Sequence, residues 1–192
     1  MTVLPKSEPS TFSGKTMMSD LTSDKKISLK MRIISLFAVA FLLGLDQLIK
    51  YYVDLNLKGS QPVVVLRNVL QFNYLENDGA MMGFMSGKTG TMTVLALICI
   101  AVMLIVVFSG KIKDLIDYWC ILLMIAGGLG NIIDRVFRGY VIDYIEVLFV
   151  DFYIFNFADC LITVAAFVLI FYQIYLIYKE GKDKKKIGEI HD

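Results

Sequence analysis

Four carboxylates, Asp143, Glu146, Asp151 and Asp159, lie within the otherwise aromatic and aliphatic stretch VIDYIEVLFVDFYIFNFADC, residues 141–160. Two carboxylates in one apolar pocket cannot both ionise easily, so one keeps its proton at neutral pH. The ionised partner can then deprotonate a water while the protonated one polarises a carbonyl and later protonates a leaving amine, which is hydrolytic chemistry. Other routes are poorly supplied. The only histidine is His191, one residue from the end of a charged tail, which argues against Ser-His or Cys-His triads and histidine metal sites. Cys99, Cys120 and Cys160 stand far apart inside apolar runs with no C-x-x-C pair, so buried packing is expected of them. No metal or cofactor is expected.

The elements that must position these groups are membrane spans. A chain of 192 residues with 57% hydrophobic and 19% charged residues is too apolar for a soluble core of that size, and its formal charge of +1 offers no basic face for nucleic acid. Residues 1–30, rich in Ser, Thr and Lys, read as a disordered leader. Four apolar runs follow at about 32–52, 91–109, 117–137 and 155–178, each near the roughly 20 residues that cross a bilayer as a helix. Lysine and arginine cluster in the leader (Lys25, Lys26, Lys30, Arg32), between runs two and three (Lys111, Lys113), and in the basic tail 179–192. The positive-inside rule makes those three segments cytoplasmic and leaves two external loops, 53–90 and 138–154. The first, with QPVVVLRNVLQFNYLEN ahead of NDG, predicts short strands ended by a turn; the second predicts an aromatic segment lying along the membrane surface. The expected fold is an all-α membrane protein of four transmembrane helices with a small external β-sheet in the loop between helices 1 and 2.

On that topology the intramembrane polar residues converge at one end. Asp46 and Lys50 fall in the last turns of span one, Asn131, Asp134 and Arg135 in those of span three, and Asn156 and Asp159 in the first turns of span four. Charged groups in hydrocarbon cost several kcal/mol, so such convergence points to one polar site between helices. Simpler roles exist for each. Asp46 and Lys50, acid first at i and i+4, suit a structural ion pair. Asn131, Asp134 and Arg135, at i, i+3 and i+4, share a helix face and suit a buried network. Gly127, Gly128 and Gly130 suit close helix packing. Asp159 in a first helical turn, with Asn156 three residues earlier, suits capping. Asp143 alone would be an unremarkable loop aspartate, while Glu146 and Asp151 read as solvated or interfacial.

Five short boxes in order, DQLIK (46–50), NDGA (77–80), GNIIDR (130–135), VIDY (141–144) and FNFAD (155–159), make the chain resemble the lipoprotein signal peptidases, the signal peptidase II family of bacterial membrane aspartic peptidases. The resemblance covers about Met31 to Tyr178. It implies cleavage of prolipoproteins just before a diacylglyceryl-modified cysteine, a catalytic dyad of Asp143 and Asp159, and supporting or substrate-binding roles for Asn77, Gly79, Asn131, Asp134, Arg135, Asn156 and Ala158, with Asp46 and Lys50 a structural pair. It implies diacylglyceryl-prolipoprotein and membrane lipid as partners and an active site toward the external face of the cell membrane; a monomer is expected, though nothing in the sequence specifies that state. Met81 and Met82 depart from the small residues usual after the N-x-G-A box and put the contacts of that loop in doubt. The alternative class is a proton-coupled carrier using Asp134 or Asp159 as a relay, which predicts polar residues strung through the bilayer depth. Span two and the inner half of span four are instead uninterrupted apolar sequence.

Overall fold

A computed structural model describes residues 27–79 and 88–191, with side chains described as far as 183. The leader up to residue 26, Ala80, Met81 and Met82, and the side chains of Lys184, Lys185 and Lys186 lie outside the described residues. Helix α1 spans Leu29–Leu57; Ser28 caps it by accepting the Met31 N–H at 3.2 Å, and the chain leaves through Lys58 in an extended conformation and Gly59 at φ 73°. Strands β1 (Val63–Leu66) and β2 (Leu70–Asn77) form a hairpin whose turn holds Asn68 at φ 60°. Helix α2 covers Thr89–Phe108 and α3 covers Leu115–Phe137, the latter capped by the Asp114 carboxylate on the Ile116 N–H at 2.9 Å. After Gly139, at φ 84°, comes strand β3 (Val141–Val147), and helix α4 runs Phe157–His191.

Among the described residues, four helices are long and apolar enough to cross a membrane. Their starts lie within about three residues of the expected limits, although α1 continues to Leu57 and α4 runs helically into the segment expected as a basic tail. Helix α3 is the hub and packs against each of the other three. Its glycines explain how. A Cβ on Gly127 would collide with the Ala158 carbonyl oxygen of α4, one on Gly128 would lie 3.1 Å from Ile100 Cδ1 of α2, and one on Gly130 would lie 2.5 Å from Asp46 Oδ2 of α1. Three glycines admit three helices, as small residues do in bilayers where apolar packing against lipid gives no net drive.

The sheet runs β1-β2-β3, antiparallel throughout. Two strands come from the loop between α1 and α2, as expected; the third does not. Residues 144–155 were expected to lie along the membrane surface, but 144–147 belong instead to β3, which pairs with β2, Leu75 opposite Asp143 and Asn77 opposite Val141. The reason is burial: Val141, Ile142, Asp143 and Tyr144 are all buried, so the segment's apolar character serves the sheet and its packing on α1, where Val53, Ile142 and Tyr144 form one cluster. Glu146, expected to be solvated or interfacial, is only partly exposed because it accepts from Gln71 and Asn73, at 2.6 and 2.8 Å. Asp151 is exposed. All three cysteines are free, but only Cys120 is buried; Cys160 is partly buried, and Cys99 is exposed because α2 turns a single residue, Ile100, into the interior.

Candidate active site

Asp143 and Asp159 are brought together by backbone pairing. Phe155 donates its N–H to the Ile145 carbonyl at 3.1 Å and returns its own carbonyl to the N–H groups of Tyr144 and Ile145 at 3.0 and 2.8 Å. That bridge folds the chain back, so α4 starts beside β3. The first turn of α4 then closes a reciprocal cap: Asn156 Oδ1 accepts the Asp159 N–H at 3.0 Å, and Asp159 Oδ2 accepts the Asn156 N–H at 3.2 Å. The capping role considered for Asp159 is therefore real, and it occupies one carboxylate oxygen while the other accepts from Asn131 Nδ2 at 2.8 Å.

Asp143 is 2% exposed. Its Oδ2 accepts from Asn77 Nδ2 at 2.8 Å and its Oδ1 from Asn156 Nδ2 at 2.6 Å. Asn77 in turn uses its side-chain oxygen to close a turn on the Gly79 N–H at 3.0 Å, which sets the NDG box against the strand. Burial first, and then the neighbouring Asp159 charge, push the Asp143 carboxyl up to about 7, against the lowering effect of Asn77, Asn156 and Lys50. Both aspartates face a cavity of about 320 Å³, lined also by Asn77, Gly79, Arg135 and Tyr153, with Ile162 and Thr163 of α4 on its wall.

A second polar cluster lies behind the first. Lys50, 0% exposed, contacts Asp46 at 3.0 Å, Asp134 at 2.8 Å and Asn131 Oδ1 at 3.0 Å. The i,i+4 pair expected of Asp46 and Lys50 is thus a triad with Asp134. Asp134 does more than pair: its Oδ2 accepts the Ile142 N–H at 3.3 Å, one residue before Asp143, and its Oδ1 takes an ion pair from Arg138 and a hydrogen bond from Gln47 at 3.3 Å. Arg135, on the same helix, reaches instead to the carbonyls of Gly79 and Asn131, at 3.4 and 3.5 Å. Ala158 is fully buried, with its Cβ over Gly130 and its carbonyl oxygen over Gly127, so a larger residue there would push α4 off α3.

Every candidate residue from the sequence therefore falls in one of the two clusters or in the packing between them. Three participants were missed: Gln47, Arg138 and Tyr153. Arg138 carried a readable signal, standing four residues after Asp134 in the favourable acid-first order. Gln47 lay inside the DQLIK box, and nothing in its type distinguished it.

The family model described as signal peptidase (SPase) II matches residues 38–175, most of the chain. The chain belongs to the signal peptidase II family. Relatives called lipoprotein signal peptidase include one from Lactobacillus gasseri, 39% identical over 138 residues that cover 72% of this chain and 88% of that one. Another, from Clostridioides difficile, is 33% identical over 146 residues, covering 76% and 96%. A solved bacterial membrane enzyme is 30% identical and superposes with a TM-score of 0.65 over 74% of this chain and 88% of its own. With four spanning helices this is a multi-pass membrane peptidase, and the carrier alternative finds no support.

Proposed function

We propose that this peptidase is of the aspartic class, cleaving prolipoproteins just before a diacylglyceryl-modified cysteine with Asp143 and Asp159 as its dyad. One observation carries the reading: the two aspartates open on a single cavity, and the amide donors that hold them are linked to one another through Asn131 and Asn156. The dyad shares one proton, resting mainly on Asp143. Burial disfavours charge on both carboxyls; what supports this division is that the Asp159 charge adds to burial at Asp143, whereas Asp159 sits at the N-terminus of α4 with Arg135 nearby, both favouring negative charge there.

In the proposed reaction Asp159 takes a proton from a water lying between the carboxyls, and the resulting hydroxide adds to the scissile carbonyl carbon. Asp143 gives its proton to the carbonyl oxygen, producing a neutral tetrahedral diol. Collapse of the diol passes one hydroxyl proton back to Asp143. The proton held by Asp159 goes to the departing amine, which restores the singly protonated dyad. Arg135 balances the dyad's remaining charge and holds the Gly79 carbonyl, which fixes one wall of the cavity.

The relatives' name, lipoprotein signal peptidase, supports the substrate class. The lysine and arginine distribution supports cytoplasmic termini with the site at the external face, in a peptidase domain of residues 31–178. The reading includes lipid contact and a monomeric state. Purified enzyme and a diacylated prolipoprotein substrate test it: Asp143→Asn and Asp159→Asn should each lower kcat by roughly a thousandfold or more. Either variant retaining near wild-type cleavage would end the dyad assignment.

A further inference from the structure

Lys50 does not touch either aspartate, yet its bonding leaves them little freedom. An ammonium has three donors and no acceptor, and Lys50 spends all three, on Asp46, Asp134 and Asn131. The Asn131 atom facing it must therefore be the amide oxygen, which commits the NH2 end of Asn131 to Asp159 at 2.8 Å. The same oxygen accepts from Asn156 Nδ2 at 3.1 Å, so the NH2 group of Asn156 is also committed, and it reaches Asp143 Oδ1 at 2.6 Å. The remaining end of Asn156, its oxygen, takes the Asp159 N–H. Turning Asn131 over would set NH2 against an ammonium and an oxygen against the Asp159 carboxylate, leaving buried groups unmatched on both sides.

We propose that Lys50 is a positioning residue for the dyad: it fixes the polarity of the Asn131–Asn156 amide relay so that both aspartates face N–H donors. The inference rests on the dyad reading above. Charge balance supports it. Asp46, Lys50, Asp134 and Arg138 together sum to zero, and a singly protonated dyad is balanced by Arg135, so Lys50 is not required to neutralise Asp143 and Asp159. A buried ion triad is also weak evidence for stability by itself, because replacing such a group with apolar residues is often neutral. What a methionine could not replace is the donor that tells Asn131 which way to point.

The test compares two variants of the full-length enzyme on a diacylated prolipoprotein. Asp46→Asn alone removes the i,i+4 ion pair but leaves Lys50 its bonds to Asp134 and Asn131, and kcat should stay within about threefold of wild type. Asp46→Asn with Lys50→Met keeps the cluster's net charge and removes the donor, while Asp134 retains Arg138, Gln47 and the Ile142 N–H. That double variant should lose about 10- to 100-fold in kcat with KM within twofold, the scale of one hydrogen bond to a charged group. Its acid limb should also move to higher pH, because Asp159 loses its Asn131 donor and both aspartates lose the nearby Lys50 charge, so the loss in kcat at constant KM carries the test. The charged groups facing this network are Asp46 on α1, Asp134, Arg135 and Arg138 on α3, Asp143 on β3 and Asp159 on α4. Equal impairment of both variants would make Lys50 merely the partner of Asp46, and wild-type kcat and pH profile in the double variant would remove the relay altogether. If the double variant does not fold, Asn131→Asp decides: an acid keeps an oxygen toward Lys50 but offers another to Asp159, so a folded enzyme with wild-type kcat would overturn the proposal. Active Asp143→Asn or Asp159→Asn enzyme would instead defeat the dyad reading, so the two failures are distinguishable.

Discussion

Helices α2 and α3 are neighbours that pack on one another, yet they use their side chains in opposite ways. The spanning window of α3 is 50% buried and that of α2 only 6%. Helix α3 turns Gly127, Gly128 and Gly130 toward three different helices and carries Asn131, Asp134 and Arg135 into the site, whereas α2 buries one isoleucine. In a bilayer, apolar side chains gain little by leaving lipid for protein, so burial follows close backbone packing and polar need rather than greasiness. The more apolar helix is accordingly the more exposed one.

The largest effects that should mark this contrast are in the α3 glycines. At Gly127 an added Cβ meets a backbone carbonyl, and at Gly130 it meets Asp46 inside the ion triad; neither neighbour is the free end of a flexible chain. Gly127→Val and Gly130→Val should therefore yield little folded, active enzyme, a loss of several kcal/mol in overpacking and separated helices. Gly44→Val in α1, where nothing lies within 4 Å of the added Cβ, should purify with near wild-type thermal stability. Comparable yields and melting temperatures for the three variants would show that the close approaches are not needed.

Next in size is a trade between stability and activity at Asp143. Its carboxyl is raised from 3.8 to about 7 in the folded protein, so the folded state binds the extra proton through that interval. Stability from this group is full below about pH 4 and is lost as pH rises toward 7. Asp143→Asn, though inactive, should melt about 2–8 °C above wild type at pH 7.5, with the gap closing near pH 4. The wild-type rate should decline above about pH 7 as the dyad loses its shared proton. A variant less stable than wild type at pH 7.5 would mean that the amide donors from Asn77 and Asn156 outweigh burial.

Much of this was legible in the sequence, for physical reasons that differ by residue. The spans could be read because only long apolar runs satisfy the bilayer, and the site because Asp46, Lys50, Asn131, Asp134, Asn156 and Asp159 are costly in hydrocarbon unless they meet. Strand β3 was not legible as a strand. Buried at four successive positions, it lacks the alternation that marks a half-exposed strand, and its partner β2 lies more than sixty residues away in sequence. The Lys50–Asp134 contact was hidden likewise, because an i,i+4 acid already accounted for the lysine. Cys99 was misjudged through treating an apolar neighbourhood in sequence as an interior in space.

Three consecutive residues of α2 give the smallest and sharpest test of the comparison. Ile98 is 56% exposed, Cys99 is exposed, and Ile100 is 5% exposed with its Cδ1 against Gly128. Sequence gives no reason to rank them, since all three are apolar and sit in one uninterrupted run. Ile100→Ala opens a gap beside Gly128 and the cluster of Tyr118, Leu122 and Ile125, and should cost on the order of 1–3 kcal/mol, below the soluble-core range because lipid is no worse a solvent for the lost methylenes. Cys99→Ala, one position away, trades a lipid-facing thiol for a methyl and should leave both melting temperature and kcat within error of wild type. Because the two substitutions lie 100° apart on the same turn, equal effects would mean that α2 is rotated relative to the packing described, and the contrast with α3 would have to be redrawn from that rotation.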